Sequence, residues 1–403
     1  MENRERQTGM TIPLGKLRLR RNAGVRLTTV VGARPQFVKA AAVSRAILLY
    51  NGANLDARIV ETLIHTGQHY DPALSRVFFD QLDIPAPQIN LGVGSGPHGR
   101  QTAEMLIGLE SALSADRPDL VLVYGDTNST LAAALAAAKL GLPVAHVEAG
   151  MRSFTPRMPE EINRLLTDRL SALLLCSTPT AVRNLKAEGL TRGVRLVGDV
   201  MLDAFLMFRE KAEARSGILS TLKLEKGGYV LATLHRQENT DDPTRLSYLL
   251  EAFARLSEKG RPIVIPLHPR TRDAIRRRRL RTGGAPFLHM IPPVPYLDMI
   301  ALETGAAVIL TDSGGVQKEA AFAGVPCLTL REETEWPETV EKGWNRLVGS
   351  DPERIAKAFQ AAIKAPRPAA RAAVARLFGR GAAGRRIAAE IAKFGGAGTP
   401  GKS

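Results

Sequence analysis

The sequence predicts an α/β protein made of two Rossmann-like, doubly wound domains facing one another across a cleft. Three observations predict it. Short apolar, β-branched runs alternate with helical stretches from Val25 onward. The alternation lapses once, across a charged, glycine-containing stretch near 203–228, and then restarts. In both halves polar and ionisable residues collect just after the strand-like runs. Such runs read as parallel strands buried on both faces and joined by crossover helices.

In the first half, Arg26–Val31 reads as a strand and Pro35–Leu49 as a helix. Ile59–Ile64 and Leu74–Leu82 repeat the pair, followed by Leu120–Tyr124 with Leu131–Leu140. Pro143–Val147 precedes a loop and the helix Glu160–Leu170, and Leu173–Ser177 and Arg195–Val197 are two further short strands. The second half runs Tyr229–Leu234, Thr244–Glu258, Pro262–Leu267, Thr271–Leu280, Leu288–Ile291, Leu297–Thr304, Ala307–Leu310, Val316–Ala323 and Pro326–Leu330. Two successive βαβα series mean two domains. The expected division is a disordered basic extension over 1–24, domains over 25–202 and 229–368, a linker over 203–228, a helical segment over 369–395 and a tail over 396–403.

Composition excludes several classes. The 403 residues are 44% hydrophobic and include only two cysteines, Cys176 and Cys327, far apart and in no metal-binding spacing. A disulfide scaffold is not expected, and a reducing, cytoplasmic setting fits best. No apolar run reaches the roughly 18 residues that span a bilayer, and no apolar stretch of a secretory signal follows the basic N-terminus. The net charge of +15 suggests nucleic acid until it is located. It concentrates in residues 1–26, in 364–403 and in the knot Arg276–Arg279, with no nucleic-acid-binding motif beside it, so neither nucleic acid nor membrane is expected as a partner.

Ligands of doubly wound sheets sit outside the carboxyl ends of the strands, so the residues after each strand matter most. They are Gly32-Ala33-Arg34-Pro35, His65-Thr66-Gly67-Gln68-His69, Gly125-Asp126-Thr127-Asn128 and Glu148-Ala149-Gly150 in the first half. In the second they are His235-Arg236-Gln237-Glu238-Asn239, His268-Pro269-Arg270, Asp312-Ser313-Gly314-Gly315 and Arg331-Glu332-Glu333. Ser313-Gly314-Gly315 before a helix offers free N–H groups and a positive dipole end to a phosphate; read alone, it is equally a tight turn with a serine cap. Arg34, Lys39 and Arg331 add cationic groups for a diphosphate. Asp126, Glu148 and Glu160 form a carboxylate set, and crowded carboxylates can supply both an acid and a base near neutrality. His235 would face them. His65 and His69 straddle Gly67 after a strand, so no helix presents them together, and no metal is expected.

Taken together, the motifs resemble the non-hydrolysing UDP-N-acetylglucosamine 2-epimerase family, over about Val30 to Gly349. The strings are Gly32-Ala33-Arg34-Pro35-Gln36 with Lys39; His65-Thr66-Gly67-Gln68-His69; Gly125-Asp126-Thr127; His146-Val147-Glu148-Ala149-Gly150-Met151-Arg152; Pro159-Glu160-Glu161 with Asn163-Arg164; His235-Arg236 with Glu238-Asn239; Thr311-Asp312-Ser313-Gly314-Gly315 with Gln317 and Glu319; and Thr334-Glu335 with Pro337-Glu338. The resemblance implies the two-domain GT-B architecture, with UDP in the second domain and the C-terminal helical segment packed back on the first. It also implies a homodimer and a cofactor-free inversion of C2 in a UDP-linked 2-acetamido sugar. By matching position Asp126, Glu148 and Glu160 transfer protons, His235 contacts sugar or diphosphate, and Glu319 holds the ribose. Arg34, Lys39, Arg152, Arg236, Glu238, Asn239, Ser313, Gly314, Gly315 and Arg331 complete the expected binding set.

The chain departs from the family pattern at Tyr70-Asp71-Pro72, where members carry an Arg-containing stretch of an allosteric site, so that regulation is not carried over. Trp336 stands where many members have Arg, and Val294 where some have a nucleotide-contacting Gln. Other strings, Gln317-Lys318-Glu319-Ala320 among them, are similar to the branch acting on UDP-2,3-diacetamido-2,3-dideoxy-glucuronate, whose extra carboxylate Arg152, Arg157 or Arg236 would answer. That substrate is the alternative within the same reaction; a GT-B glycosyltransferase is the alternative outside it.

Overall fold

Runs of β-branched and leucine residues form strands wherever both faces are covered. Leu120–Tyr124 and Val308–Thr311 are buried at every position, as central strands of a parallel sheet must be. The structure, a computed structural model, describes residues 24–55, 58–68, 85–257, 260–280, 287–364 and 371–396. The expected extension (save Gly24), the helix Leu74–Leu82, His69 and residues 397–403 lie outside the described residues.

Among the described residues the first sheet has seven strands, β1 (Val25–Val31), β2 (Ile59–His65), β3 (Ile89–Asn90), β4 (Leu120–Tyr124), β5 (Val144–Val147), β6 (Leu173–Cys176) and β7 (Val194–Leu196). Their order is β3-β2-β1-β4-β5-β6-β7, with all pairs parallel. The second has six, β8 (Val230–Thr233), β9 (Ile263–Pro266), β10 (Leu288–Ile291), β11 (Val308–Thr311), β12 (Cys327–Thr329) and β13 (Asn345–Leu347). Their order is β10-β9-β8-β11-β12-β13, again all parallel. The strand order reverses between β1 and β4 and between β8 and β11. These two switch points are where such sheets bind ligands.

Packing explains the helices. Asn128–Lys139 buries Ala132, Ala133, Ala134, Ala136 and Ala137, because alanine lets it lie close to both β4 and the helix His98–Asp116. That neighbouring helix was not expected from the sequence, although Met105, Leu109, Ala112 and Leu113 recur with helical period and form its buried stripe. The stretch read as a linker is largely helical. Val200–Arg215 buries Met201, Phe205, Phe208 and Ala212 while Glu210, Glu213 and Arg215 face outward, and Asp203 accepts from the N–H groups of Ala383 (3.1 Å) and Gly384 (2.8 Å); the charges masked the apolar stripe. The C-terminal helix Ala383–Gly396 places Ile387, Ala388 and Ile391 in one core with Val25, Val43 and Ile59 of the first sheet. Gly384 allows this approach, since a Cβ there would stand 3.0 Å from the carbonyl oxygen of Ala42.

Cys176 and Cys327 are both buried and free. Arg276, Arg277 and Arg279 lie on the surface, while Arg278 donates to the carbonyl oxygen of Asp241 at 2.6 Å. Among the described residues no helix is long and apolar enough to cross a membrane.

Candidate active site

At the first switch point Gln36 joins the two strand ends. Its Oε1 accepts from the N–H groups of Gly32 (2.8 Å) and Ala33 (3.0 Å). Its Nε2 donates to the Tyr124 carbonyl (2.8 Å) and to Thr130 (3.0 Å). The helix Arg34–Ala53 therefore starts at a fixed place, with Arg34 half-buried at its head and Lys39 buried one turn further on.

At the second switch point the buried Asp312 performs the corresponding task. It accepts from the N–H groups of His235 (3.0 Å) and Arg236 (2.9 Å) and from the Asn239 amide (3.2 Å). The turn after β8 is thus clamped to the end of β11. Asn239 also donates to the Leu330 carbonyl at 3.0 Å, so its role in the fold is to tie β8, β11 and β12 together. Ser313 occupies the cap position of the helix Gly314–Ala323 but makes no side-chain cap bond. The first N–H groups of that helix remain for a ligand. A Cβ on Gly314 would lie 3.2 Å from Glu335 Oε2, so glycine keeps this corner open.

The three expected carboxylates take different positions. Glu148 ends β5 with φ of +68°, a left-handed backbone unusual for a side chain of its size. Its two oxygens are taken by Lys39 and, at 2.9 Å, by Lys318. Burial alone would raise its pKa, but Lys318 and Lys39 outweigh that and hold it down to about 2. Gly125 makes room for the cluster, because a Cβ there would stand 3.3 Å from both Glu148 Oε2 and Lys39 Nζ. Asp126 is half-exposed and paired with Arg164 Nη2 at 2.8 Å. Glu160, at the head of Pro159–Leu170 and half-exposed, faces Arg236 of the second sheet's lobe at 3.8 Å.

His235 is partly exposed, with Nδ1 3.5 Å from Asp312 and its ring 5.7 Å from that of His268. Loss of water around the ring, together with Arg236, Arg270 and Arg331, lowers its pKa against the pull of Asp312. Asp126, Glu148, Glu160, His235, Arg236, Gly314 and Gly315 therefore lie along the facing ends of the two sheets. The lobes also meet directly through Thr155 to Glu333 (3.0 Å) and Thr178 to Glu338 (3.1 Å).

Three expected binding residues pair with carboxylates of the protein. Arg152 is buried against Asp168 (2.8 Å) and Glu188 (2.7 Å), beneath the turn that follows β5 rather than in the cleft. Arg331 is almost fully buried and pairs with Glu238 (2.7 Å), Glu335 (3.1 Å) and Glu333 (3.5 Å). Its guanidinium organises these carboxylates, with Glu238 its nearest partner. Lys39 is likewise occupied by Glu148. Glu319 is buried and accepts from the Tyr296 hydroxyl at 2.7 Å; burial raises its pKa and that of the adjacent Glu303.

Sequence reasoning missed Asp312, Arg164, Lys318, Glu335 and Asp199 as site-forming residues. The first four stood inside motif strings. What they hold is set by tertiary distance, which spacing does not show. Among the described residues no group of three His, Cys, Asp or Glu is arranged to hold a metal ion.

Fold and site define a two-lobed α/β enzyme class in which an uncapped helix N-terminus faces paired carboxylates across a cleft. Residues 53–392 match the family model described as UDP-N-acetylglucosamine 2-epimerase, and the chain belongs to that family. A UDP-N-acetylglucosamine 2-epimerase homolog of Methanococcus maripaludis is 52% identical over 82% of this chain and 90% of its own length. The UDP-2,3-diacetamido-2,3-dideoxy-D-glucuronate 2-epimerase of Pseudomonas aeruginosa is 46% identical over 92% of this chain and all of its own length. The crystal structure of Methanocaldococcus jannaschii UDP-GlcNAc 2-epimerase with UDP-GlcNAc and UDP superposes with a TM-score of 0.84 at 40% identity, covering 91% of this chain and 99% of that one. The expected GT-B architecture of two Rossmann-like domains is the one observed.

Proposed function

We propose that the protein inverts C2 of UDP-N-acetylglucosamine to give UDP-N-acetylmannosamine, without hydrolysis and without an added cofactor. The observation that carries this is the facing of Glu160 and Arg236 across the cleft at 3.8 Å, beside the uncapped N-terminus at Gly314–Gly315. One side is suited to proton transfer and the other to an anionic leaving group.

In this reading the C2 proton passes to a carboxylate, the C1–O bond to the diphosphate breaks, and UDP leaves as an anion from a 2-acetamido glycal. UDP then adds back to C1 while C2 is protonated on the opposite face. Because C2 bears no carbonyl its proton is only weakly acidic, so stabilising the departing diphosphate must lower the barrier. In this reading the Gly314 and Gly315 N–H groups and Arg34 take that task, and Glu319 holds the ribose, as the family resemblance implies. Asp126, Glu148 and Glu160 are assigned to proton transfer by the resemblance; of the three, Asp126 and Glu160 are half-exposed, while Glu148 stands buried between two lysines. Cleft closure keeps the glycal and UDP from water.

The same epimerisation on UDP-2,3-diacetamido-2,3-dideoxy-glucuronate is the second reading, favoured by the relative of that name at 46% identity. Of the three arginines that could answer its carboxylate, Arg152 and Arg236 face carboxylates of the protein, whereas Arg157 is exposed beside the Thr155–Glu333 contact. A cytoplasmic homodimer, with domains over 25–202 and 229–368, belongs to the same proposal and rests on the family resemblance.

Proton NMR of the protein with UDP-N-acetylglucosamine in D2O tests the function. A manno-type anomeric signal with deuterium at C2 is expected. Turnover of the diacetamido uronate alone would move the protein to that branch, and silence with both would overturn the epimerase reading.

A further inference from the structure

Lys318 belongs to the second lobe, on the helix Gly314–Ala323, yet its ammonium group reaches the first. Its Nζ lies 2.9 Å from Glu148 Oε1 and 2.8 Å from Asp199 Oδ2. Glu148 closes strand β5, and Asp199 caps the helix Val200–Arg215, accepting from the N–H of Met201 at 2.8 Å. The N–H of Asp199 in turn donates to the Phe378 carbonyl at 2.8 Å, in the returning C-terminal segment. The Trp336 ring lies under the Lys318 ammonium at 4.0 Å, and the lysine is 2% exposed. One side chain thus joins the helix that begins at Ser313-Gly314-Gly315, the carboxylate turn of the other lobe, and the start of the crossover helix.

We propose that Lys318 is a positioning residue: it seats the Glu148 carboxylate from across the cleft, so that the reaction site is complete only while the lobes are together. The inference rests on the epimerase reading for its kinetic consequence but not for its geometry. Glu148 has a left-handed backbone that fixes its Cα, and two ammonium groups fix its head. Separating the lobes leaves Lys39 in place, because it belongs to the same lobe, and removes Lys318. Glu148 and Asp199 then lose a shared buried cation, which is costly unless water replaces it. The groups facing Glu148 are Lys39 from the helix Arg34–Ala53, Lys318 from Gly314–Ala323 and, through Lys318, Asp199; towards β4 it meets the backbone of Gly125.

The test compares Lys318→Met, Lys318→Gln and Lys318→Arg with the parent chain. The two uncharged variants are expected to lose about a hundredfold in kcat with KM changed less than about threefold, as a lost alignment should. The acid limb of their kcat profile should also move to higher pH, since Glu148 keeps one cation instead of two. Lys318→Arg should return the limb towards its original position. X-ray scattering with and without UDP is measured on the same proteins and needs no turnover. The parent should become more compact with UDP, and the uncharged variants less so. Should Lys318→Met fail to fold, the Gln and Arg variants decide. Uncharged variants with parental kcat, pH limb and UDP-driven compaction would overturn the proposal. If the parent turned over neither UDP-sugar, the epimerase reading would fail while scattering alone judged the cross-lobe contact.

Discussion

His146 Nδ1 lies 2.7 Å from Asp168 Oδ1, and the opposite ring nitrogen lies 2.7 Å from the carbonyl oxygen of Gly125. The ring thus bridges a carboxylate and a backbone carbonyl. Asp168 also accepts from the N–H of Gly150 at 3.0 Å and pairs with Arg152 at 2.8 Å. This buried group joins the turn carrying Asp126 to the turn carrying Glu148, and so sets the spacing of two carboxylates without entering the cleft.

Asp168→Asn should therefore cost stability first. Burial would raise the Asp168 pKa, but His146 and then Arg152 outweigh it and lower it. A lowered carboxylate pKa gives stability that is present above the unfolded value and lost as pH falls through the folded value. Breaking such a buried pair costs about 3–5 kcal/mol. Urea unfolding at pH 7 should show that loss, and the gap to the parent chain should narrow below the ordinary carboxylate range. A full-sized gap at low pH would mean the effect is packing, not charge.

Glu160→Gln should act on chemistry and spare the fold. Glu160 is half-exposed, and its contact with Arg236 is a loose 3.8 Å, so little stability resides there. Loss of a general acid or base lowers kcat by roughly 10²–10⁴-fold. Epimerisation followed by NMR should show that fall with KM little changed and the melting temperature within a few degrees. Unchanged kcat would leave Asp126 as the sole open proton carrier.

Gly32→Ala tests the first switch point. An added Cβ would overlap the hydroxyls of Ser129 and Thr66, which are both buried and bonded to each other at 2.8 Å. Overpacking of this kind costs about 1–3 kcal/mol. Thermal unfolding should report it. A parental melting temperature would show that the Ser129 hydroxyl can turn away.

These positions divide what could be seen in the sequence from what could not. Strand ends were legible, because apolar runs stop at Gly32, Gly125, Glu148, His235 and Asp312, and parallel strands bring all such ends to one edge. The helix His98–Asp116 is hard to read in the sequence because its polar face dilutes the stripe of Met105, Leu109 and Leu113. Most difficult was the pairing of charges. Arg331 follows a strand just as Arg34 does, yet Glu238, Glu333 and Glu335 converge on it from two segments. Lys318 reads as an exposed helix lysine until the fold places Glu148 and Asp199, 170 and 119 residues away in the chain, against its ammonium group.

His235 offers the clearest pH test. Its backbone N–H is held by Asp312 at 3.0 Å, which a side-chain substitution leaves intact, so His235→Asn should fold. In the parent chain loss of water around the ring and three neighbouring arginines lower the imidazole pKa, although Asp312 opposes them. These effects favour the neutral ring, which offers an acceptor nitrogen or an N–H to a sugar hydroxyl or the diphosphate. A histidine whose folded pKa is lowered contributes stability above its unfolded value near 6.5 that is lost as pH falls through the folded value. His235→Asn should flatten that part of the stability profile. It should also lower kcat by roughly tenfold or more at pH 7.5, the scale of one lost hydrogen bond to the reacting group. Chemical denaturation between pH 5 and 8, run beside the NMR assay, checks both. A flattened stability profile with unchanged kcat would place His235 at the edge of the sugar site rather than against the reacting centre.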